Sequence, residues 1–147
     1  MNSEVLRLFH SNGSLRIEIQ RRNGRAHGMN REYYPNGQLA SEIPYEDGFQ
    51  NGTAKFWAMD GRFLGEYTLN CGSGLAKKWY DNGVLCAEVT LAKGLPHGRQ
   101  KTWYEDGKPA PDSYWIKAKK VSRKKYLKAC EIDPALPLYP EENDNPI

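Results

Sequence analysis

Gly28-Met29-Asn30-Arg31-Glu32-Tyr33-Tyr34-Pro35-Asn36-Gly37-Gln38-Leu39-Ala40-Ser41-Glu42-Ile43 decides the fold of this chain. It holds a glycine, a cation three residues on, an aromatic five residues on, an Asx-Gly pair, and then an apolar residue and a glutamate. Asx-Gly favours tight turns that need a positive φ at glycine. The Asx-Gly pair recurs at Asn12-Gly13, Asn36-Gly37, Asp60-Gly61, Asn82-Gly83 and Asp106-Gly107, with glycine spacings of 24, 24, 22 and 24 residues. A second glycine column is Gly24, Gly48, Gly72 and Gly94, and a third is Gly28, Gly52, Gly74 and Gly98. Of the chain's glycines, Gly65 alone lies outside these columns. The shorter unit has lost two residues in its loop, Gly72-Ser73-Gly74.

Side chains follow the same register. Leu15, Leu39, Phe63 and Leu85 form an apolar column, and Glu18, Glu42, Glu66 and Glu88 an acidic one. Arg31, Lys55, Lys77 and Lys101 form a basic column, and Tyr33, Trp57, Trp79 and Trp103 an aromatic one. Arg7 and Phe9 continue the last two columns, so the array is half a unit plus four whole units, ending near Gly107. Between turns the apolar residues alternate, as in Leu15, Ile17 and Ile19, which is the period of a half-buried strand. Turn signals recur too often for helices. The spacing predicts an all-β fold, an elongated and twisted antiparallel sheet of stacked hairpins. Nine strands at ~4.8 Å make it about 40 Å wide. One hairpin cannot bury its own face, so stability must come from stacking. The charged columns predict cross-strand ladders, with the pairing register left open by sequence.

Composition agrees with a thin repeat. The chain has 147 residues, 39% hydrophobic, with mean hydropathy −0.78. No segment approaches the ~18 apolar residues that span a bilayer, and the apolar part of Met1–His10 is too short for a secretory signal. Its aromatics, 9 Tyr, 4 Trp and 4 Phe, exclude a solvating disordered chain. Tyr and Trp dominate them and suit half-exposed surfaces better than a thick aliphatic core. Cys71, Cys86 and Cys130 are odd in number and widely spaced, which argues against a disulfide scaffold or zinc knuckle and for a reducing cytoplasm.

The pattern of glycine, leucine, glutamate, paired aromatics and Asx-Gly resembles the MORN repeat in its bacterial variant form, over about residues 5–110. Ala58 departs from it, standing where Tyr34, Tyr80 and Tyr104 stand in the other units. The resemblance implies a binding or scaffold module, since many small bacterial members are classed as antitoxin or immunity proteins. Eukaryotic members imply phospholipid or protein binding.

Residues 112–133 are predicted to cap the array 1–111. Ser113–Val121 reads as a last strand, and Ser122 as the N-cap of a helix over about 123–132 that ends at Asp133-Pro134. Val121 and Tyr126 fit a hydrophobic staple, and Tyr126, Leu127, Cys130 and Ile132 are expected to cover the sheet end. Residues 113–130 carry seven basic and no acidic groups, and 131–147 five acidic and no basic ones. Arg123, Lys124 and Lys125 oppose the helix dipole and join Lys119 and Lys120 in a basic patch. That patch is either a solvated face balanced by Glu141, Glu142 and Asp144, or a docking site for an acidic partner. Residues 134–147 read as a flexible acidic tail.

His10, His27 and His97 lack the fixed partners that catalysis needs and read as turn residues. The evenly spaced glutamates read as a ladder, not as an acid pair. No phosphate-loop, dinucleotide or metal motif occurs. No catalytic residue, cofactor or small-molecule substrate is therefore expected. The expected function is protein binding, with a toxin bearing an acidic docking surface as the leading partner, neutralised by occlusion. A phospholipid surface, met by one basic and aromatic sheet face, is the alternative. Nucleic acid is the weaker reading, because residues 117–128 hold too few aromatics for a stacking platform. The expected contact residues are Arg31, Lys55, Lys77 and Lys101, Tyr33, Trp57, Trp79 and Trp103, and Lys119, Lys120, Arg123, Lys124 and Lys125.

Overall fold

A computed structural model describes residues 2–139. Nine strands form the array: β1 (Ser3–Phe9), β2 (Leu15–Arg22), β3 (Arg25–Tyr33), β4 (Leu39–Glu46) with the short β5 (Phe49–Gln50) beside it, β6 (Gly52–Trp57), β7 (Phe63–Leu69), β8 (Gly74–Trp79), β9 (Leu85–Ala92) and β10 (Leu95–Thr102). Then come β11 (Ser113–Ile116), β12 (Lys119–Val121) and helix α1 (Arg123–Ile132). All pairing is antiparallel and between neighbours in sequence, except that β4 pairs β6 past the short β5.

Two turn types alternate. At Asn12-Gly13 the side chain of Asn12 accepts from the Ser14 amide at 2.9 Å, and Gly13 takes φ 87°. The same Asx bond recurs at Asn36, Asp60, Asn82 and Asp106. At the other end, Asn23, Asp47, Cys71 and Lys93 each take φ near 50° ahead of a positive-φ glycine, the two-residue turn that suits twisted hairpins. Beside the aromatic column the register slips by one residue in four successive hairpins, at Leu8/Phe9, Glu32/Tyr33, Phe56/Trp57 and Lys78/Trp79. Such repeated bulges increase the right-handed twist.

The sheet is not continuous. It divides into seven strands (β1–β7) and five (β8–β12). After the single bridge Asn70↔Ser73, β7 and β8 part. The ring of Trp79 lies at the division. A Cβ on Gly65 would sit 2.3 Å from Trp79 Cζ2, so glycine is required there for the ring to approach the strand. Trp79 also meets Phe56 at 5.6 Å between centroids, and Phe56 stacks on Tyr67 at 5.6 Å. Ala54, Ala58 and Leu69 are buried.

The array also runs further than its glycines suggest. In place of one strand over Ser113–Val121, β11 and β12 form a hairpin whose turn, Lys117-Ala118, has φ 47° and 69°. Ala118 lies 24 residues after Gly94 and donates its amide to Pro96 O, as Gly94 does to Gly72 O. It is a degenerate member of the glycine column. A left-handed conformation costs a non-glycine residue about 1 kcal/mol. Ala118→Gly should therefore raise stability by ~0.5–1 kcal/mol, seen as a higher urea midpoint with unchanged slope.

The cap forms as its sequence dictates. Ser122 accepts from the Lys125 amide at 3.1 Å, and Asp133 is the C-cap. Tyr126 is fully buried, with Tyr114 and Leu136 beside it and Val121, Leu127 and Cys130 against them. Ile132 does not take part, being 85% exposed, because it lies on the helix face turned from this cluster. The expected flexible tail is docked over its first residues: Leu136 is buried, and Tyr126 Oη donates to Pro137 O. Residues 140–147, with Glu141, Glu142 and Asp144, lie outside the described residues, and so does their expected balancing of the patch.

Candidate functional site

The register turns the charged columns into one ladder. Arg7 pairs with Glu18, Glu18 with Arg31, Arg31 with Glu42, Glu42 with Lys55, and Lys55 with Glu66. In the second sheet Lys77 pairs with Glu88 and Glu88 with Lys101. Directly opposed residues on neighbouring strands share a face. Arg7 Nε lies 3.0 Å from Glu18, and Arg31 Nε lies 2.9 Å from Glu42. The Glu42 hydrogen bond raises the Arg31 pKa further above its ordinary value. Each cation thus has a carboxylate opposite it. The ladder alternates in sign and presents no single-sign field.

The aromatic column goes elsewhere. Tyr33, Trp57 and Trp79 line a groove of about 350 Å³ together with Tyr34, Phe56, Glu32 and Ser41. Its cations are Arg16 and Lys78, both exposed, and not Arg31, Lys55, Lys77 or Lys101. The basic and aromatic columns therefore do not make the single face expected of them. Trp103 is apart from the groove, bridged to Pro109. Ser41 is buried at the floor, and Trp57 meets Phe63 edge-on at 5.8 Å.

The second aromatic column ties unit to unit. Tyr34 Oη donates to Trp57 O at 2.8 Å, and Tyr80 Oη to Trp103 O at 2.7 Å. His10, at the same position in the half unit, lies with Nε2 2.7 Å from Tyr33 O. Burial pushes the Tyr34 phenol up. Ala58 breaks this series at the unit that ends the first sheet. His27 and His97 act as loop acceptors: Nδ1 receives the amide of Asp47 at 3.3 Å in one unit and of Lys117 at 3.0 Å in the other.

A second concavity, about 640 Å³, lies between β10, the β11–β12 hairpin and the start of α1. Arg99, Lys101, Lys120 and Arg123 line it, with Ser113, Ser122 and Asp112. Lys119, Lys124 and Lys125 are exposed but do not line it. Arg99 is 9% exposed, and its guanidinium carbon lies 3.9 Å from the centre of the Tyr139 ring. Tyr139 Oη accepts from the Arg99 amide at 2.9 Å and bonds Thr90 Oγ1 at 2.7 Å. Burial drives the neighbouring Tyr126 phenol far above its ordinary pKa.

Four residues of this geometry were not singled out by the repeat: Arg16, Lys78, Arg99 and Tyr139. Arg99 had a signal. It follows the loop-closing glycine, where the other units carry Met29, Thr53 and Leu75. Among the described residues no group of three or more His, Cys, Asp or Glu is placed to hold a metal ion. No helix among the described residues is long and apolar enough to cross a membrane.

Comparison with known proteins finds a repeat family. The family model described as MORN repeat variant matches residues 26–47, 73–92 and 96–110. No curated protein and no solved structure matches the chain significantly. MORN repeats are protein- and membrane-binding modules, generally non-enzymatic. The matched segments coincide with the β3–β4, β8–β9 and β10 stretches of the array, and over these stretches the chain is similar to MORN-variant repeats.

Proposed function

We propose that this chain is a protein-binding module of the cytoplasm, and that its partner is a toxin that it neutralises by occlusion. The observation that carries the binding reading is the groove of Tyr33, Trp57 and Trp79 flanked by exposed Arg16 and Lys78. Tyr, Trp and Arg are the side chains that dominate interface energetics. Half-buried rings held by backbone pairing lose little rotamer freedom on binding. Two flanking cations favour a partner with an acidic docking surface. The antitoxin role is supported by the resemblance of the repeat to small bacterial immunity proteins. The phospholipid reading is less well supported, because the basic column alternates with glutamates along the sheet instead of forming a cationic face.

Co-expression with the product of the adjacent gene tests this. The native chain should restore growth and co-purify with that product. Arg16→Glu/Lys78→Glu should lose both while keeping its melting temperature, since both side chains are exposed. No growth protection by the native chain, or protection undiminished in the charge-reversed variant, would sink the proposal. Sedimentation with anionic vesicles instead would favour the lipid alternative.

A further inference from the structure

The two outer edges of the array differ. β1 ends the seven-strand sheet, and β12 ends the five-strand sheet. An edge strand presents unpaired backbone N–H and C=O groups that invite another strand. β12 is guarded against this, since it has only three residues, Lys119-Lys120-Val121, and both lysines are exposed. β1 has no such guard. It is seven residues long, exposed at every position, and pairs with β2 alone among the described residues. Its apolar residues lie on both faces, Val5 and Phe9 alternating with Leu6 and Leu8.

The charge ladder also stops there half made. Arg31, inside the sheet, has a carboxylate on each side, with Nε 2.9 Å from Glu42 and Nη1 3.9 Å from Glu18. Arg7 has Glu18 at 3.0 Å on its inner side and, among the described residues, no strand on its outer side. The inner neighbour of β1 sets Ile19, Glu18 and Ile17 opposite Leu6, Arg7 and Leu8. An outer neighbour of the same pattern, apolar then acidic then apolar, would cover both leucines and place a second carboxylate at Arg7.

A second copy of this chain does not supply that pattern. Two β1 strands paired antiparallel are related by a twofold axis normal to the sheet, which keeps each residue on its own face. Arg7 then meets Ser3, Val5, Arg7 or Phe9 of the other copy, and never Glu4. The edge at β12 would bring lysines to Arg7.

We propose that the outer edge of β1 takes an extended segment of another protein as an added strand, with an acidic residue opposite Arg7 between two apolar ones. Main-chain hydrogen bonds give the affinity, and the pair at Arg7 fixes the register. No residue of β1 lines the aromatic groove, so the inference is independent of that groove.

The probe is a synthetic peptide with the sequence of Leu15–Arg22, whose centre is Ile17-Glu18-Ile19. Titrated into the isotope-labelled full chain, it should move the amide signals of residues 5–8 and slow their exchange with solvent, leaving those of β11 and β12 in place. Replacing the glutamate of the peptide with lysine should weaken binding at least about ten-fold. Arg7→Glu, at an exposed position, should reverse the preference, so that the lysine peptide binds more tightly. Arg7→Gln puts no second anion beside Glu18 and should bind both peptides alike, which keeps the test open if Arg7→Glu disturbs the fold. Unmoved β1 amides at about 1 mM peptide, or equal binding of the two peptides by the native chain, would overturn the proposal. So would signals that move at Trp57 and Trp79 in place of β1. β1 amides that shift with chain concentration in the absence of peptide would assign the edge to a second copy and overturn it too.

Discussion

Tyr126→Ala will cost about 3–5 kcal/mol, the largest loss expected of any single substitution in the cap. Tyr126 is the largest fully buried side chain among the described residues. Its ring meets Tyr114 at 5.3 Å, and its hydroxyl holds Pro137. Removing it opens a cavity between α1, β11 and the docked residues around Leu136, and leaves the Pro137 carbonyl with only the weak Cys130 thiol donor at 3.9 Å. The cluster joins the array only at its last strands, through β10–β11 pairing and the docking of Tyr139 on Thr90 and Arg99, and repeat proteins unfold in segments. The loss should therefore appear first as detachment of the cap, with helical circular dichroism falling at lower urea than the array's Trp fluorescence. Tyr126→Phe keeps the ring and loses one hydrogen bond, at roughly 1 kcal/mol. If Tyr126→Ala and Tyr126→Phe lose equal stability, the packing account is wrong.

Gly65→Val should be the most damaging change in the array, at ~3 kcal/mol or more. The new Cβ would overlap the Trp79 ring at 2.3 Å, and two methyls would follow it. The ring has Phe56 on another side, so it cannot move without disturbing the Phe56–Tyr67 stack. A double-mutant cycle with Trp79→Ala isolates the contact. Gly65→Val should cost much less in the Trp79→Ala background, with a coupling above about 1 kcal/mol. Additive costs would show that β7 objects to valine for some reason other than the ring.

The repeat was legible because its signals are local. Asx-Gly turns, column spacing and alternation each act within a dozen residues, and Ser122 marks the start of α1 by its own side-chain bond to the Lys125 amide. The register of the charge ladder was not legible, since a one-residue slip satisfies the same columns. At the division of the sheet Trp79 reaches Gly65 in the preceding hairpin, a contact no spacing rule contains. The last hairpin was hidden because its turn uses Ala118 where its fellows use glycine. The docking of Tyr139 joins residues 40 and 49 positions apart, in a segment whose prolines and acids read as tail. Of the expected contact residues, sequence alone grouped the basic and aromatic columns together. The pairing of every basic-column cation with a glutamate on its own sheet is what separated them.

That pairing bears on how such a chain can grow. Each hairpin brings one column cation and one column carboxylate, and each meets its opposite on the neighbouring strand. A duplicated hairpin inserted in register would continue the alternation and leave the net charge of the ladder unchanged. Length is thus decoupled from surface potential. The number of units can follow the footprint of a partner without altering solubility or long-range attraction, and recognition is left to the rings and to the two ends.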